Sequence, residues 1–514
     1  MVKRYHVSGD EGEKIDPKEV PWWTSCRLGL AILGFFGFIN VYALRVNMSV
    51  AIVCMVNQTA IRSTDDANTS AHAECRVSGN NTSGPQFQDG DLIWDKEKQG
   101  YILGSFFWGY LVTQIPGGWV ATKFGGKRVF GWSMFVATVL TFLTPIAAQT
   151  SYIFIIVIRL LMGVVSGVCF PAMHALWGNW APPMELSKLV AFTYAGAQVG
   201  IVVTFPLAGV LCQYGFAGGW PSIFYTLGII NFVWVVIWMI FISDSPAQHT
   251  RITSIERDYI IQSQAESAHS QPEKKLSVPW LKIMKSMPFY AIVVSNLTSD
   301  WGAYTLLTNI PSYMSEVLKF DIASNGLFSC LPYIAFWAVI NFSGWSADFL
   351  RNRGILSTTS VRKTFDLVGK GVPALLLIGL GYVDCTQPIT AIILLTLGVS
   401  ITGFQYSAFV VNHVDIAPAF AGILFGISNS IASVTGFVSP VVVAELTKED
   451  QSRAQWQIVF YIAAAIYGLG ALFYLIFASG ELQDWAKEEK EPEEEKMNPI
   501  EMKRMGVPNG NEKV

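Results

Sequence analysis

Four ionisable side chains interrupt stretches of this sequence that are otherwise almost wholly apolar. In chain order they are Arg45, Arg159, His174 and Asp300. An ionisable group in such a stretch is costly and usually marks a ligand or ion site. A guanidinium can hold a carboxylate or phosphate through paired hydrogen bonds, and an imidazole titrates near neutral pH. The four residues therefore predict a site for a small anion, with His174 and Asp300 as candidates for coupling to H⁺ or Na⁺ and for gating.

Each of these residues also has a purely structural interpretation. Arg45 could extend to the membrane surface, but the apolar run continues for eleven residues to Val56, about 16 Å of helix, which is far for a side chain to reach. Arg159 could belong to a structural ion pair, and His174 could be a packing residue. Asp300 could cap a helix break beside Gly302. These alternatives stay open at the level of sequence.

The run that contains Arg159 predicts a polar stripe on a helix. Its polar and bulky positions follow steps of 4, 3, 4 and 4 residues, at Arg159, Gly163, Ser166, Phe170 and His174. Positions spaced in this way share one face of an α-helix. A polar face on an apolar helix is typical of a cavity wall, so we expect Ser166 to line the same cavity as Arg159 and to act with His174 and Asp300 in coupling or gating.

The composition indicates a membrane protein. Of the 514 residues, 52% are hydrophobic and 14% are charged, whereas a soluble domain carries about 25% charged residues. The formal net charge of −3 gives no reason to expect a nucleic-acid partner. The sequence contains no HExxH or GxSxG motif, and its seven cysteines have no metal-binding spacing. We therefore expect neither an enzyme nor a metal or other cofactor.

Apolar windows of about 20 residues, the length needed to cross a bilayer, predict an all-α protein with twelve membrane spans. The spans are 28–56, 98–121, 128–147, 152–180, 187–213, 220–243, 287–314, 323–348, 364–384, 388–412, 419–445 and 454–479. A long central loop separates six spans from six. The predicted division is an N-terminal tail 1–24, a six-helix half 25–243, a central loop 244–286, a second half 287–480 and an acidic disordered tail 481–514.

Basic residues cluster in alternate loops, and the positive-inside rule then places both termini and the central loop in the cytoplasm. Loop 57–97 falls on the opposite, lumenal or extracellular side. It carries glycosylation sequons at Asn57, Asn68, Asn80 and Asn81. Cys54 and Cys75 flank or occupy this loop and could form a disulfide.

A faint internal repeat supports the division into halves. The segment 118-GWVATKFGGKR-128 follows the second span, and 344-GWSADFLRNRG-354 follows the eighth. Repeated halves of this kind are typical of transporters, whose substrate site lies between the halves near the middle of the bilayer.

Several longer stretches carry a specific family resemblance. They are 42-YALRVNMSVAIV-53, 104-GSFFWGYLVTQIPGGWVATKFGGKRV-129, 170-FPAMHALWGNWAPPMELSKL-189, 192-FTYAGAQVG-200, 304-YTLLTNIPSYM-314, 412-NHVDIAPAFAGILFGISNS-430 and 456-WQIVFYIAAAIYGLGALF-473. The chain resembles the major facilitator superfamily, in the anion-transporter branch that contains sialin, the vesicular glutamate transporters and the type I sodium-phosphate cotransporters. The resemblance runs from about residue 25 to residue 486, and sialin is the most similar of these members.

The resemblance implies a twelve-helix alternating-access carrier for anions. It places the family's first-helix and fourth-helix arginines on Arg45 and Arg159, and its fourth-helix histidine on His174. It also implies substrate-binding positions at Tyr42, Phe107, Tyr110, Tyr304, Asn429 and Ser430.

The chain departs from the family's pattern at positions linked to coupling and substrate choice. Proton-coupled members carry fourth-helix glutamates where this chain has Met162 and Ser166. The glutamate transporters carry a histidine where this chain has Leu103 and an arginine near Ser299, which argues against glutamate as the substrate. Asp300 lies where sialin has no acid, and we expect it to serve as a replacement coupling site.

From these observations we expect cation-coupled symport of a small organic anion, such as sialate or a related carboxylate, by a monomeric carrier in the lipid bilayer. Two alternatives stay open: a sodium-dependent phosphate cotransporter, and an uncoupled organic-anion transporter driven by the membrane potential. Residues 1–24 contain no leucine, hence no acidic dileucine signal, so the plasma membrane and a lysosomal or vesicular membrane are both expected locations.

Overall fold

The structure, a computed structural model, describes residues 20, 22–57, 90–183, 185–270, 278–320 and 322–486. These residues form α-helices joined by short connections. The helices, numbered here in chain order, are α1 Cys26–Met55, α2 Lys96–Phe124, α3 Gly126–Thr150, α4 Tyr152–Ser166, α5 Cys169–Trp180, α6 Leu186–Tyr214, α7 Pro221–Phe241, α8 Ser254–Ser270, α9 Trp280–Ile283, α10 Met287–Glu316, α11 Ile322–Asn352, α12 Thr358–Leu380, α13 Pro388–Ile401, α14 Phe409–Ile416, α15 Ala421–Ala432, α16 Thr435–Thr447 and α17 Arg453–Phe477.

Side-chain caps fix where several of these helices begin. The hydroxyl of Ser25 accepts a hydrogen bond from the backbone N–H of Leu28 at the start of α1. The carboxylate of Asp95 accepts one from Lys98 N–H, 2.8 Å away, at the start of α2. Each cap satisfies a backbone donor that has no partner inside its helix, which stabilises that helix end by about 1 kcal/mol.

Nine helical segments in the described ranges are long and apolar enough to cross a membrane. They match nine of the twelve predicted spans. The remaining three predicted spans also form helices, α2, α10 and α12, but these carry more charged and polar side chains. Asp300 and Glu316 lie in α10, and Asp366 and Lys370 lie in α12.

Three of the predicted spans are interrupted helices. The fourth divides into α4 and α5 around Gly167 and Val168. The tenth contains a 3₁₀ turn, Thr402–Ser407, between α13 and α14, and the eleventh divides into α15 and α16. Arg159, Gly163 and Ser166 are buried on α4, whereas His174 on α5 is exposed, so burial differs between the two parts of the predicted polar face.

The central loop and the tail contain structure that the sequence analysis did not anticipate. Helices α8 and α9 lie within 244–286, and a 3₁₀ turn, Asp484–Ala486, begins the predicted disordered tail. Helix α8 is tied to the first half, because Glu256 accepts hydrogen bonds from the backbone N–H groups of Cys26 and Arg27. The remainder of the predicted tail, 487–514, lies outside the described residues.

The two halves meet through α2 against α16 and α6 against α11. Both contacts depend on glycine. A Cβ on Gly100 of α2 would lie 2.4 Å from that of Ala444, and one on Gly326 of α11 would lie 2.5 Å from the carbonyl oxygen of Phe205. We call the end of the bundle where α2 begins and α10 ends the Glu316 face, and the opposite end, where α2 ends and α3 begins, the Asp244 face.

A disulfide joins Cys54, near the end of α1, to Cys212, near the end of α6. The possibility of a Cys54–Cys75 disulfide is therefore wrong. The end of α6 lies beside the end of α1, although 158 residues separate the two cysteines. Sequence proximity suggested the loop cysteine, whereas the packing of α1 on α6 selects the distant one.

Candidate functional site

Arg45 lies in the middle of the bundle inside a cage of aromatic rings. Its side chain is buried, and the central carbon of its guanidinium lies 4.8 to 5.4 Å from five ring centroids. The rings belong to Tyr42, Phe106, Phe107, Tyr110 and Tyr304. Ring faces carry partial negative charge, so the cage stabilises the buried cation without an ion pair.

The same guanidinium keeps part of its hydrogen-bonding capacity free. Among the described residues, neither Nε nor Nη2 of Arg45 has a hydrogen-bond partner. These two atoms form the side-on edge with which arginine binds both oxygens of a carboxylate. The cage therefore holds the cation in place and leaves a carboxylate-binding edge to which no described residue is hydrogen-bonded.

Arg45 borders a small cavity of about 10 Å³, roughly the space needed by one water molecule. Its wall consists of Arg45, Val46, Ser49, Leu103, Phe107, Arg159, Leu307 and Thr308. The wall thus includes both arginines and residues from the two halves. An organic acid needs more room, so the cavity must widen before such a ligand can enter.

Arg159 also lies over the Phe106 ring, with its guanidinium 5.1 Å from the ring centroid. Its Nη1 and Nη2 atoms donate to the backbone carbonyl oxygens of Leu44 and Arg45, at 3.3 and 3.1 Å. Its Nε atom has no partner among the described residues. Arg159 therefore adds a second positive charge to the cavity and also anchors the segment of α1 that carries Arg45.

Asp300 is half-buried in α10, one helical turn before Tyr304. It lies close enough to Arg45 for the two charges to interact. No hydrogen bond or ion pair joins its carboxylate to another residue in the described part of the chain. The helix does not break at Asp300, because α10 continues to Glu316, so the interpretation as a capping residue is wrong.

His174 is separated from the arginines by the break between α4 and α5. Its side chain is exposed, and its Nδ1 atom lies 3.0 Å from the carbonyl oxygen of Phe170 and 2.6 Å from the hydroxyl of Tyr194. Ser166, at the end of α4, is buried and does not line the cavity beside Arg45. The cavity wall predicted along one helix therefore holds only near Arg159.

Asn429 and Ser430, the predicted eleventh-helix pair, lie at the junction of the halves rather than in the cavity wall. The Asn429 amide donates to the side-chain oxygen of Gln114, 2.9 Å away, and Gln114 donates to Ser433 at 3.2 Å. The hydroxyl of Ser430 is buried and has no partner among the described residues. These contacts form an amide bridge, Gln114–Asn429–Ser433, between α2 and the α15–α16 segment.

Sequence reasoning missed Phe106 and Gln114. A signal for Gln114 was present, because Phe107, Tyr110 and Gln114 follow steps of three and four residues and so share a face of α2. No spacing signal pointed to Phe106. Of the four sequons, only Asn57 falls in the described residues, where its N–H donates to the carbonyl oxygen of Leu92 at 2.9 Å. Asn68, Asn80 and Asn81 lie outside them.

The helical architecture agrees with comparisons to known proteins. The family model of the Major Facilitator Superfamily matches residues 30–440. The chain belongs to the Major Facilitator Superfamily. Within it, the chain is 46% identical to sialin of Homo sapiens over 469 residues, which covers 91% of this chain and 92% of that protein. It is 42% identical to vesicular glutamate transporter 1 of Bos taurus, covering 91% and 80%.

Solved structures of other superfamily members share the fold. The inward-open xylose transporter XylE from E. coli has a TM-score of 0.63 at 13% identity and covers 88% of this chain and 96% of that one. A bacterial homologue of the lysosomal transporter Spinster has a TM-score of 0.63 at 12% identity. The chain is accordingly a multi-pass membrane transporter of the superfamily's anion-transporter branch, and it is not an enzyme.

Proposed function

We propose that this transporter carries a small organic monoanion whose carboxylate binds the free edge of Arg45. The observation that carries the proposal is the combination of the aromatic cage with the unpartnered Nε and Nη2 atoms of that guanidinium. The cage holds the cation in one orientation before the ligand arrives, which lowers the entropic cost of binding.

The lining of the cavity favours an organic acid over inorganic phosphate. Apart from the arginines, the wall residues that offer side-chain hydrogen-bond donors are Ser49 and Thr308, whereas Val46, Leu103, Phe107 and Leu307 are apolar. A carboxylate uses one pair of donors and leaves an apolar or hydroxylated body to contact the rings. Phosphate needs donors on several sides. A sialate-like sugar acid or another monocarboxylate fits this distribution better.

Asp300 supports coupling to a cation. Its half-buried carboxylate lies near Arg45 and has no partner in the described part of the chain, so it is available to H⁺ or Na⁺. Neutralising Asp300 removes the attraction that competes with an incoming carboxylate for Arg45. Anion binding and cation binding would then favour each other, which is the requirement for symport.

Uptake into proteoliposomes made with the purified full-length chain tests the proposal. Labelled sialate, glutamate, urate and phosphate are supplied in turn, with a Na⁺ gradient, a pH gradient and a membrane potential imposed separately. We expect saturable uptake of a monocarboxylate that accelerates with one cation gradient. Uptake of phosphate alone would overturn the proposal, and uptake that responds only to the potential would reject cation coupling.

The substitution Asp300→Asn tests the coupling site directly. The amide cannot take up a proton at physiological pH and binds Na⁺ less well than a carboxylate. We expect uptake by this variant to lose most of its dependence on the cation gradient while still being saturable. The matched control is Asp384→Asn, because Asp384 lies in an exposed loop away from the cavity. Unchanged ion dependence in Asp300→Asn would reject the assignment.

We also propose that the protein lies in a plasma or vesicular membrane with its Asp244 face toward the cytoplasm. Lys123, Lys127 and Arg128 lie at this face, which agrees with the positive-inside rule. The opposite face would carry the glycosylated loop. Protease protection of a tag at either terminus in sealed vesicles tests this orientation.

A further inference from the structure

A buried ion pair joins the two halves at the Glu316 face. The ammonium of Lys96, in α2, contacts the carboxylate of Glu316, in α10, and both side chains are nearly inaccessible, at 6% and 5% exposure. The indole Nε1–H of Trp456 donates a second hydrogen bond to Glu316, at 3.2 Å. Among the described residues, the ion pairs at the Asp244 face instead join residues within one half or its attached helix, as Arg27 does with Glu185 and Arg362 with Asp415.

Neither charge is favoured by its own helix. Lys96 is the first residue of α2, where the helix dipole disfavours a cation, and Glu316 is the last residue of α10, where it disfavours an anion. A basic residue is better placed at the end of a helix and an acidic one at its start. The two residues are therefore stabilised mainly by each other, across the boundary between the halves.

The pair lies directly above the cavity that contains Arg45. Leu103 and Thr308 belong to the cavity wall, from α2 and α10 respectively. Lys96 precedes Leu103 by seven residues, and Glu316 follows Thr308 by eight, so each charge lies about two helical turns, roughly 10 to 12 Å, from the cavity on a similar face of its helix. Buried Ser312 lies one turn below Glu316 on α10.

We propose that Lys96 and Glu316 form an electrostatic latch that holds the cavity closed on the Glu316 face. The cavity can open to this face only when α2 and α10 separate, which breaks the pair and hydrates both charges. With both charges present, their attraction offsets the cost of burying them. When one charge is removed, the other is buried without a partner in the closed state, whereas in the open state it is hydrated. The equilibrium therefore shifts toward the open state.

The accessibility of a reporter cysteine measures this equilibrium. Ser312→Cys places a thiol below the latch, and the full-length protein is labelled with a hydrophilic maleimide in lipid nanodiscs. We expect Lys96→Gln or Glu316→Gln to increase the labelling rate at this position roughly tenfold or more. Removal of one member of the buried pair leaves the other charge unpaired in the closed state, which shifts the equilibrium strongly toward the open state. The parent chain without Ser312→Cys gives the background from native thiols.

Two further variants separate a latch from a general loss of structure. The exchanged pair K96E/E316K restores the attraction and suits both helix dipoles, so its labelling should return to the parent rate or below it. The control Lys98→Gln removes an exposed ion pair between Lys98 and the N-cap residue Asp95 at the start of α2, and labelling of this variant should not change. Labelling of Ser312→Cys that is equal in the parent, Lys96→Gln and Glu316→Gln proteins would overturn the latch, as would an exchanged pair that labels as fast as the single variants. The measurement needs no substrate, so its outcome is independent of the proposed transport of a carboxylate.

Discussion

At the residue scale, the surroundings of Arg45 offset the free-energy cost that normally excludes an unpaired charge from the middle of a membrane. Buried arginines usually pair with a carboxylate, and a paired arginine cannot bind an anionic ligand without losing its partner. Here five aromatic rings surround the cation, and two of its nitrogen atoms have no hydrogen-bond partner in the part of the chain that the structure describes. The charge is thereby stabilised by groups that do not compete with a substrate for hydrogen bonds.

This arrangement predicts that charge alone cannot replace Arg45. Arg45→Lys keeps a cation but removes the planar fork and its side-on pair of donors. We expect KM for anion uptake to rise roughly ten- to a hundredfold, which corresponds to the loss of a charge-assisted hydrogen bond worth about 1.5 to 3 kcal/mol. Concentration series in proteoliposomes would measure the change.

The control is Arg353→Lys. The guanidinium of Arg353 also lies over a ring, 4.9 Å from the centroid of Phe349, but at the Asp244 face and outside the cavity wall. The KM of the Arg353→Lys variant for anion uptake should stay at the parent value. Equal effects of the two substitutions would show that the loss in Arg45→Lys comes from general destabilisation rather than from the binding edge.

Site residues whose type is unusual in an apolar helix could be predicted from the sequence, whereas those of ordinary type could not. An arginine in an apolar run is visible without a structure, and the family resemblance supplied Tyr42, Phe107, Tyr110 and Tyr304, which the structure brings to one guanidinium. Phe106 stayed hidden because a phenylalanine in a membrane helix is ordinary. Its role follows from its contacts with two arginines, which only packing can establish.

At the element scale, the close crossing of α2 and α4 brings the two arginines to one ring. Gly163 of α4 allows this approach, because a Cβ there would lie 1.8 Å from the carbonyl oxygen of Phe106. Arg159 is one turn before Gly163 on the same helix. The crossing therefore positions Arg159 and Phe106 together, and the glycine acts on the site without touching a ligand.

Gly163→Ala should force α4 away from α2. We expect a lower melting temperature in detergent, from a cost of about 1 to 3 kcal/mol for overpacking, together with weaker uptake because Phe106 and Arg159 move. Gly178→Ala in α5 is the matched control, since its added Cβ would meet no described atom within 4 Å apart from its own chain neighbours and helix backbone. That variant should melt within error of the parent. A Gly163→Ala protein with parent stability would contradict the role assigned to the crossing.

The positions of the helices were predicted well, whereas their interruptions were not. Apolar length fixes where a membrane helix runs, so each predicted span falls on a helix or on an interrupted pair. The break between α4 and α5 has a weaker signal, because Ser-Gly-Val also occurs in continuous helices. The contact of Gly167 with α2, where an added Cβ would lie 2.2 Å from the Thr113 hydroxyl oxygen, depends on tertiary packing and is invisible in a single sequence.

At the scale of the whole molecule, contacts between the halves must form and break during transport. The amide bridge Gln114–Asn429–Ser433 is one such contact, near the middle of the bundle. Alternating access moves one half against the other, so a bond that fixes this contact should stop the cycle.

Cross-linking tests this expectation. In Q114C/N429C, a short bifunctional thiol reagent would join α2 to α15, and we expect uptake to stop and to return after reduction. The control pair T138C/N231C replaces a hydrogen bond of 2.8 Å that lies within the first half. Cross-linking that pair should leave uptake intact. Continued transport by the cross-linked Q114C/N429C protein would contradict rigid movement of the halves.

The central loop and the repeated GW segments predict a division into two halves, but they give no indication of the contacts between the halves. Lys96 and Glu316 are 220 residues apart, and neither interrupts an apolar run, so sequence offered no reason to pair them. The same limitation explains why the sequence suggested Cys75, in the neighbouring loop, as the disulfide partner of Cys54 instead of Cys212. Pairings across a bundle depend on which helices are neighbours in space.

The charges around the cavity also determine how the membrane voltage acts on the cycle. Arg45 and Arg159 contribute two positive charges, and an ionised Asp300 contributes one negative charge, so the empty site carries one net positive charge. In the proposed symport, the charge of the bound monoanion and that of the cation at Asp300 cancel, so the loaded site keeps the same net charge of one. Each reorientation then moves this charge, at about 2.3 kcal/mol per elementary charge for each 100 mV that it crosses. Voltage would therefore act in opposite directions on the loaded and the empty step, and a complete cycle would carry no net current.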